Sequence, residues 1–254
     1  MDLEFELDAK NETINLPVFS WDQDIFTNSA YRAKMRLSFA LLITISAVFG
    51  GSLAFRSVVF PSETSNSYVE MIPQNPLTLK AFTLCMRVAT ELSGEREIIL
   101  FAYRTPDYDE LNVWRELDGR LSFYLSGSGV LFKVPDLGSL QNHLCFTWDS
   151  SSGAAALFMN GRKSVTKIYR KGHTIQPGGR ILIGQDPDNY LGGFDKSQSF
   201  VGEIFDVNMW DSVLSDSEMQ NLFHQRTTQK GNVFDWETLD LKSTGEVEII
   251  NVNP

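Results

Sequence analysis

From about Phe55 onward the chain is a succession of short strand-like segments, several of which alternate apolar and polar residues, separated by turn-forming residues. A β-strand sends successive side chains to opposite faces. The run 120–125, with Leu121, Phe123 and Leu125 on one side, therefore reads as a strand with one buried face. Strand signals also fall at 79–89, 97–104, 110–116, 130–134, 143–148, 155–159, 165–170, 180–183, 200–210 and 247–252. Asp118-Gly119, Gly127-Ser-Gly129, Asn160-Gly161 and Gly178-Gly179 separate them. Asn160-Gly161 is the strongest of these signals, because an Asn-Gly pair tolerates the positive φ of a tight hairpin. One helix is predicted, over 215–225. Ser215-x-x-Glu218 is a capping box, and Met219, Leu222 and Phe223 then share a face. Many strands with a single helix predict an all-β domain over 55–254, built as a two-sheet antiparallel sandwich.

Composition permits such a core, at 43% hydrophobic and 21% charged over 254 residues. The formal charge of −10 argues against duplex nucleic acid as the main partner, since phosphate binding needs Lys and Arg. The three histidines, His143, His173 and His224, form no His-Glu-x-x-His, and neither a Gly-x-Ser-x-Gly elbow nor a phosphate loop is present. Two cysteines are too few for a structural zinc cluster. A glycoside hydrolase needs two carboxylates aimed at one cleft. Glu203 and Asp206 stand three apart on one predicted strand and so face opposite sides. The chain reads as a binding protein and not an enzyme, with a β-sandwich glycoside hydrolase as the alternative.

Residues 37–49 are an uncharged apolar run, preceded by Arg32, Lys34 and Arg36 and followed by Ser52-Leu53-Ala54. A basic flank, a short apolar centre and small residues at the end describe a secretory signal peptide over 35–54, cut after Ala54 or at Gly51. The run is shorter than the roughly 20 residues that span a bilayer, so no stable membrane insertion is expected; anchoring through this segment is the alternative. Residues 1–34 precede Met35 and read as an alternative or mis-assigned leader, which also holds the one glycosylation sequon, at Asn11. Secretion suits two cysteines, Cys85 and Cys145, to one disulfide.

Oxygen ligands are concentrated between Asp186 and Gln198. Asp186, Asp188 and Asp195 supply carboxylates, Asn189 and Gln198 supply amide oxygens, and Pro187 bends the backbone so that carbonyls can turn inward. Calcium takes 6–8 such oxygens at about 2.3–2.6 Å and relieves the repulsion of clustered acids. The spacing is not that of an EF-hand, and a solvated acidic loop is the other reading of the same residues. Arg162, Lys163, Lys167, Arg170 and Lys171 form a basic stretch that reads as an exposed strand, with polyanion binding as the alternative.

The segment His143-Leu-Cys145-Phe-Thr147-Trp148-Asp-Ser150 matches His-x-Cys-x-Ser/Thr-Trp-x-Ser/Thr, the motif of the pentraxin family. Ile183-Gly184-Gln185, Ser197-Gln198-Ser199, Val201-Gly202-Glu203 and Val207-Asn208-Met209-Trp210-Asp211 resemble the same family, at the same loop length. The resemblance runs from about Ser57 to the C-terminus. It implies a jelly-roll, lectin-like sandwich, a Cys85–Cys145 disulfide, two calcium ions per subunit and a homo-oligomeric ring, usually a pentamer. It also implies a secreted, acute-phase protein of innate immunity. Such a protein recognises phosphorylated or carbohydrate ligands, among them phosphocholine and phosphoethanolamine, and recruits complement.

Carried over by position, the resemblance implies Asp186, the Pro187 carbonyl, Asp188, Asp195 and Gln198 as calcium ligands. Asp109 stands at the position of a further ligand, with Asp107 as a substitute for a displaced carboxylate. Asp186 and Asp195 occupy positions where mammalian members carry Glu. Each is one methylene shorter, so the loop must close in or a water must bridge. Trp114, Tyr124 and Gly129 fall where members place a Phe, a Thr and a Glu around phosphocholine. Two aromatic faces suit an apolar or methylated group, and at Gly129 the carboxylate that would meet a cation is missing.

Overall fold

The computed structural model describes residues 55–252 apart from residue 228. The segments read as leader and signal peptide lie outside the described residues. Among the described residues the strands are β1 (Phe55–Phe60), β2 (Tyr68–Ile72), β3 (Ala81–Ala89), β4 (Ile98–Arg104), β5 (Asp109–Arg115), β6 (Leu121–Leu125), β7 (Ser128–Phe132), β8 (Asn142–Asp149), β9 (Ala154–Met159), β10 (Arg162–Lys163), β11 (Lys167–Ile168), β12 (Arg180–Ile183), β13 (Gly202–Trp210), β14 (Asp240–Thr244) and β15 (Glu248–Val252). The helix α1 is Asp216–Phe223.

Two antiparallel sheets face each other as a jelly-roll. One runs β10-β9-β8-β3-β13-β1-β15, with β11 also paired to β9; the other runs β14-β2-β12-β4-β5-β6-β7. The inward residues of both sheets interlock at Phe123 of β6. Its ring meets Phe82 edge-on at 5.5 Å, Phe146 at 6.2 Å and Tyr169 at 5.4 Å. Such edge-to-face pairs add about 0.5–1.5 kcal/mol to the burial of the rings. A second cluster lies on the opposite face of the first sheet. There Met219 of α1 packs with Trp210 and Phe158 over the Cys85–Cys145 disulfide.

The predicted capping box is present: Ser215 accepts from Glu218 N, and Glu218 reaches back to Ser215 N at 2.7 Å. Three strands were not predicted: β1, β2 and β14. The hairpin turn placed at Gly127-Ser-Gly129 falls one residue earlier. Ser126 and Gly127 take the positive φ values, 46° and 75°, while Gly129 lies inside β7 opposite Tyr124. Glu203 and Asp206 depart from simple alternation, because a bulge between Phe205 and Asn208 sets Asp206 at φ 52°.

Candidate functional site

A cleft opens on the outer face of the second sheet, where β5 and β6 run side by side. Leu111 and Val113 of β5 enter the core, so alternation turns Asn112 and Trp114 outward. Tyr124 of β6 stands directly across from Asn112. With Asp109 and Asp186 these side chains bound a cavity of about 290 Å³.

Asp186 forms the buried end of the cleft, at 7% exposure. Asn112 Nδ2 donates to its Oδ1 at 2.8 Å. Burial first, then the charges of Asp109 and Asp188, push the Asp186 carboxyl up to about 7. Arg104 opposes that rise from its place beside Asp109, to which its Nη1 donates at 2.5 Å. Negative charge therefore exceeds positive charge at this end. Asn112 Oδ1 is buried and has no hydrogen-bond partner among the described residues. An acceptor left in that state costs about 1–3 kcal/mol unless a group from outside the chain satisfies it. A neutral amide oxygen beside carboxylates is the donor chemistry of a hard divalent cation, so these residues fit calcium.

The rest of the acidic loop surrounds this end without closing on one point. Pro187 is buried and Asp188 exposed. Asn189 N donates to Gly192 O at 3.0 Å across the loop tip. Asp195 caps a short 3-10 turn, Lys196–Gln198, and accepts from Ser197 N and Ser197 Oγ, both at 2.8 Å. Those bonds, the backbone one foremost, hold its carboxyl below the usual range. Gln198 is half-buried at the end of the same turn. Among the described residues no three of these acids bring an oxygen each within 4.8 Å of one another. Asp107 is exposed on the turn that Thr105 N closes by donating to Tyr108 O at 3.0 Å, and it does not line the cleft.

The aromatic wall leads away from Asp186. Tyr124 donates its hydroxyl to Glu116 Oε1 at 3.2 Å. Burial, then the charge of Glu116, pushes that hydroxyl up to about 12, so it stays a neutral donor. Gly129 makes room for the ring: a Cβ there would stand 2.7 Å from two Tyr124 ring atoms. Glu97 and Glu116 both line the far end. The sequence reading missed Asn112, Glu97, Glu116 and Arg104. Only Glu116 carried a signal, being two residues past Trp114 on the same strand face.

The rival carboxylate pair does not share a cleft. Glu203 accepts from Ser57 Oγ, and Asp206 pairs with Arg87 Nε at 3.1 Å beneath the helix. Three of the five cations of the basic stretch are engaged internally. Lys163 meets Asp216 at 3.3 Å, Lys167 donates to Leu131 O at 2.5 Å, and Arg170 donates to Leu125 O and Ser126 O.

Fold and cleft together define a lectin-like jelly-roll domain with an acidic, aromatic-walled recess on one outer face. The Pentaxin family model matches residues 56–251. The C-reactive protein of Danio rerio is 50% identical over 217 residues, covering 84% of this chain and 96% of its own. Human C-reactive protein is 38% identical over 215 residues, covering 83% and 95%. The chain belongs to the pentraxin family. In the fold it is similar to a heptameric SAP-like pentraxin from Limulus polyphemus, with a TM-score of 0.68 at 22% identity, covering 77% of this chain and 94% of the other.

Proposed function

We propose that this chain is a secreted, calcium-dependent pattern-recognition protein of the acute-phase, innate-immune type, binding phosphorylated or carbohydrate groups and lacking enzymatic activity. The observation that carries this reading is the unpartnered, buried Asn112 oxygen beside Asp186 and Asp109, at the foot of an aromatic wall. Calcium bound at that end supplies a positive centre for an anionic oxygen of the ligand. Asp109, Asn112 and Asp186 hold one ion with the Pro187 carbonyl and Asp188. Asp188, Asp195 and Gln198 serve a second ion, which requires Asp195 to exchange its Ser197 bonds for the metal. Trp114 and Tyr124 then exclude water from one side of the ligand and present ring faces to it.

Residues 35–54 act as a cleaved signal in this reading, residues 55–254 form the mature domain, and residues 1–34 are absent from it. N-terminal sequencing of the secreted protein tests this, and a mature chain containing Asp2 overturns it. The homo-oligomeric family habit extends to this chain as a ring, a pentamer in our reading, able to present many clefts to one surface and to engage complement.

The central test is calorimetry with calcium on the wild type and on Asp188→Ala. The variant is expected to lose at least one site, with affinity falling 10-fold or more. Equal heats from both proteins overturn the assignment. Adsorption to phosphocholine, phosphoethanolamine and agarose resins, eluted with a chelator, then identifies the ligand group.

A further inference from the structure

Two arginines of the second sheet lie directly across from each other on adjacent strands and are held in different ways. They are Arg180 of β12 and Arg104 of β4. Arg180 engages Glu70 with two bonds, Nε to Oε1 at 2.6 Å and Nη2 to Oε2 at 2.9 Å. Arg104 makes one side-chain bond among the described residues, Nη1 to Asp109 Oδ1 at 2.5 Å. Its Nε is buried and has no partner among those residues. The Arg104 side chain is only 14% exposed, so a guanidinium with five donors sits largely away from water beside a single acceptor. A fork engaged at one point lacks the geometry of a bidentate pair, and Arg104 is the easier of the two to release.

Asp109, which receives that bond, lines the cleft, whereas Arg104 does not. A register shift between Tyr103 and Arg104 sets Arg104 opposite Asp109 across β4 and β5. The Arg104 charge also reaches Asp186, whose carboxyl it lowers against the rise caused by burial. Arg104 thus offsets the charge of both acids at the Asn112 end. The acids themselves are spread, since among the described residues no three bring an oxygen each within 4.8 Å of one another. Gathering them around one ion at about 2.3–2.6 Å requires side chains to move, and Asp109 is tied from outside the cleft.

Resting on the calcium reading above, we infer that Arg104 is the resident counter-ion of the calcium site and sets its affinity, guanidinium and calcium exchanging for the Asp109 carboxylate. With the Arg104 bond made, Asp109 is withheld from the metal. With calcium bound, Asp109 turns toward Asp186 and Asp188, and the guanidinium is released toward solvent. Sites of extracellular modules work at dissociation constants of about 10⁻⁴–10⁻³ M, and a competing cation built into the chain brings a carboxylate-rich site into that range.

Two measurements test this. Calorimetric calcium titration of the wild type and of Arg104→Gln reads the affinity. Side-chain NMR of wild-type protein carrying isotope-labelled arginine reads the Arg104–Asp109 contact through the slowed rotation of the guanidinium. Arg104→Gln is expected to bind calcium about tenfold more tightly. Calcium is expected to restore fast rotation of the Arg104 guanidinium in the wild type. Equal or weaker binding by the variant overturns the exchange, the weaker result meaning that Arg104 orients Asp109 for the metal. Tighter binding with an Arg104 signal that calcium leaves unchanged also overturns it, because repulsion at a distance then accounts for the affinity. Melting temperatures check that the variant folds, and if it does not, the wild-type NMR reading decides alone. All of these outcomes leave the calcium reading intact, whereas absence of calcium binding by both proteins overturns that reading and the exchange together.

Discussion

Three buried polar side chains illustrate three different solutions to the same energetic problem. Glu110 is fully buried and fully answered: it accepts from Gln176 N at 2.8 Å, Ser126 Oγ at 2.7 Å and His173 Nε2 at 3.0 Å. Asn112 is buried with one atom unanswered among the described residues. His143 is buried neutral beneath Phe223, and burial, with Arg87 nearby, lowers its pKa from 6.5 to about 3. Because the folded value lies below the unfolded one, His143 favours the folded state fully above about pH 6.5, and that contribution is lost as pH falls toward 3. At pH 5 the loss is about 2 kcal/mol. Urea unfolding of the wild type and of His143→Gln at pH 7 and pH 5 checks this. The variant's stability should fall less between the two, and parallel falls would refute the assignment.

At the scale of elements, local chemistry and tertiary bonds divide the work. The helix α1 is short, so its own propensity is marginal and its ends decide whether it forms. Ser215 and Glu218 satisfy the first turn, and Arg87 of β3 donates to Leu222 O and Phe223 O at the last. The Arg87 charge is also the one favoured at a helix C-terminus. Ser215→Ala should destabilise the domain by about 1 kcal/mol in denaturant, with an unchanged m-value. A loss under 0.3 kcal/mol would mean that packing over the disulfide, not the cap, holds the helix. The β6–β7 hairpin follows the same division: Ser126 and Gly127 make the turn, while Arg170, from a distant segment, donates to Leu125 O and Ser126 O at its start.

Across the whole molecule, the two sheets separate two outer faces. One carries the acidic cleft, and the other carries α1 over the disulfide. Closing the 60-residue separation between Cys85 and Cys145 is worth about 4 kcal/mol in the chain-entropy model. The two edges of the first sheet differ in kind. The β10/β11 edge exposes Val165 at 80% and Ile168 at 75% beside Arg162 and Lys167, whereas β15 exposes Ile249 and Ile250 beside Glu248. Unlike edges of complementary charge suit a head-to-tail contact, whose repetition gives a ring where the rotation closes and an open filament where it does not. Val165→Glu combined with Ile168→Glu should reduce the mass measured by light scattering to that of the monomer while the domain stays folded. An undiminished mass would place the subunit contact elsewhere.

The sequence by itself determined the class of fold and most of its elements. The segment 120–125 shows the alternation of a strand with one face inward, and segments such as 97–104, buried at consecutive positions, show instead as apolar runs of strand length bounded by turns. It also determined the helix, through its cap, and the family, through the residues around Cys145. The strands β1, β2 and β14 escaped, and β14 did so as a polar edge held by pairing with β2 rather than by a pattern of its own. Of the site, Asp109, Asp186, Trp114 and Tyr124 were legible as residue types and positions, and the structure gathers them in one cleft. Only tertiary structure could add Asn112, Glu97 and Glu116, since a polar residue facing outward from a strand is ordinary until a loop from elsewhere in the chain covers it. Burial, an unanswered oxygen and an unpaired charge are properties of neighbours distant in sequence, and so the two ends of the cleft were decided by the fold.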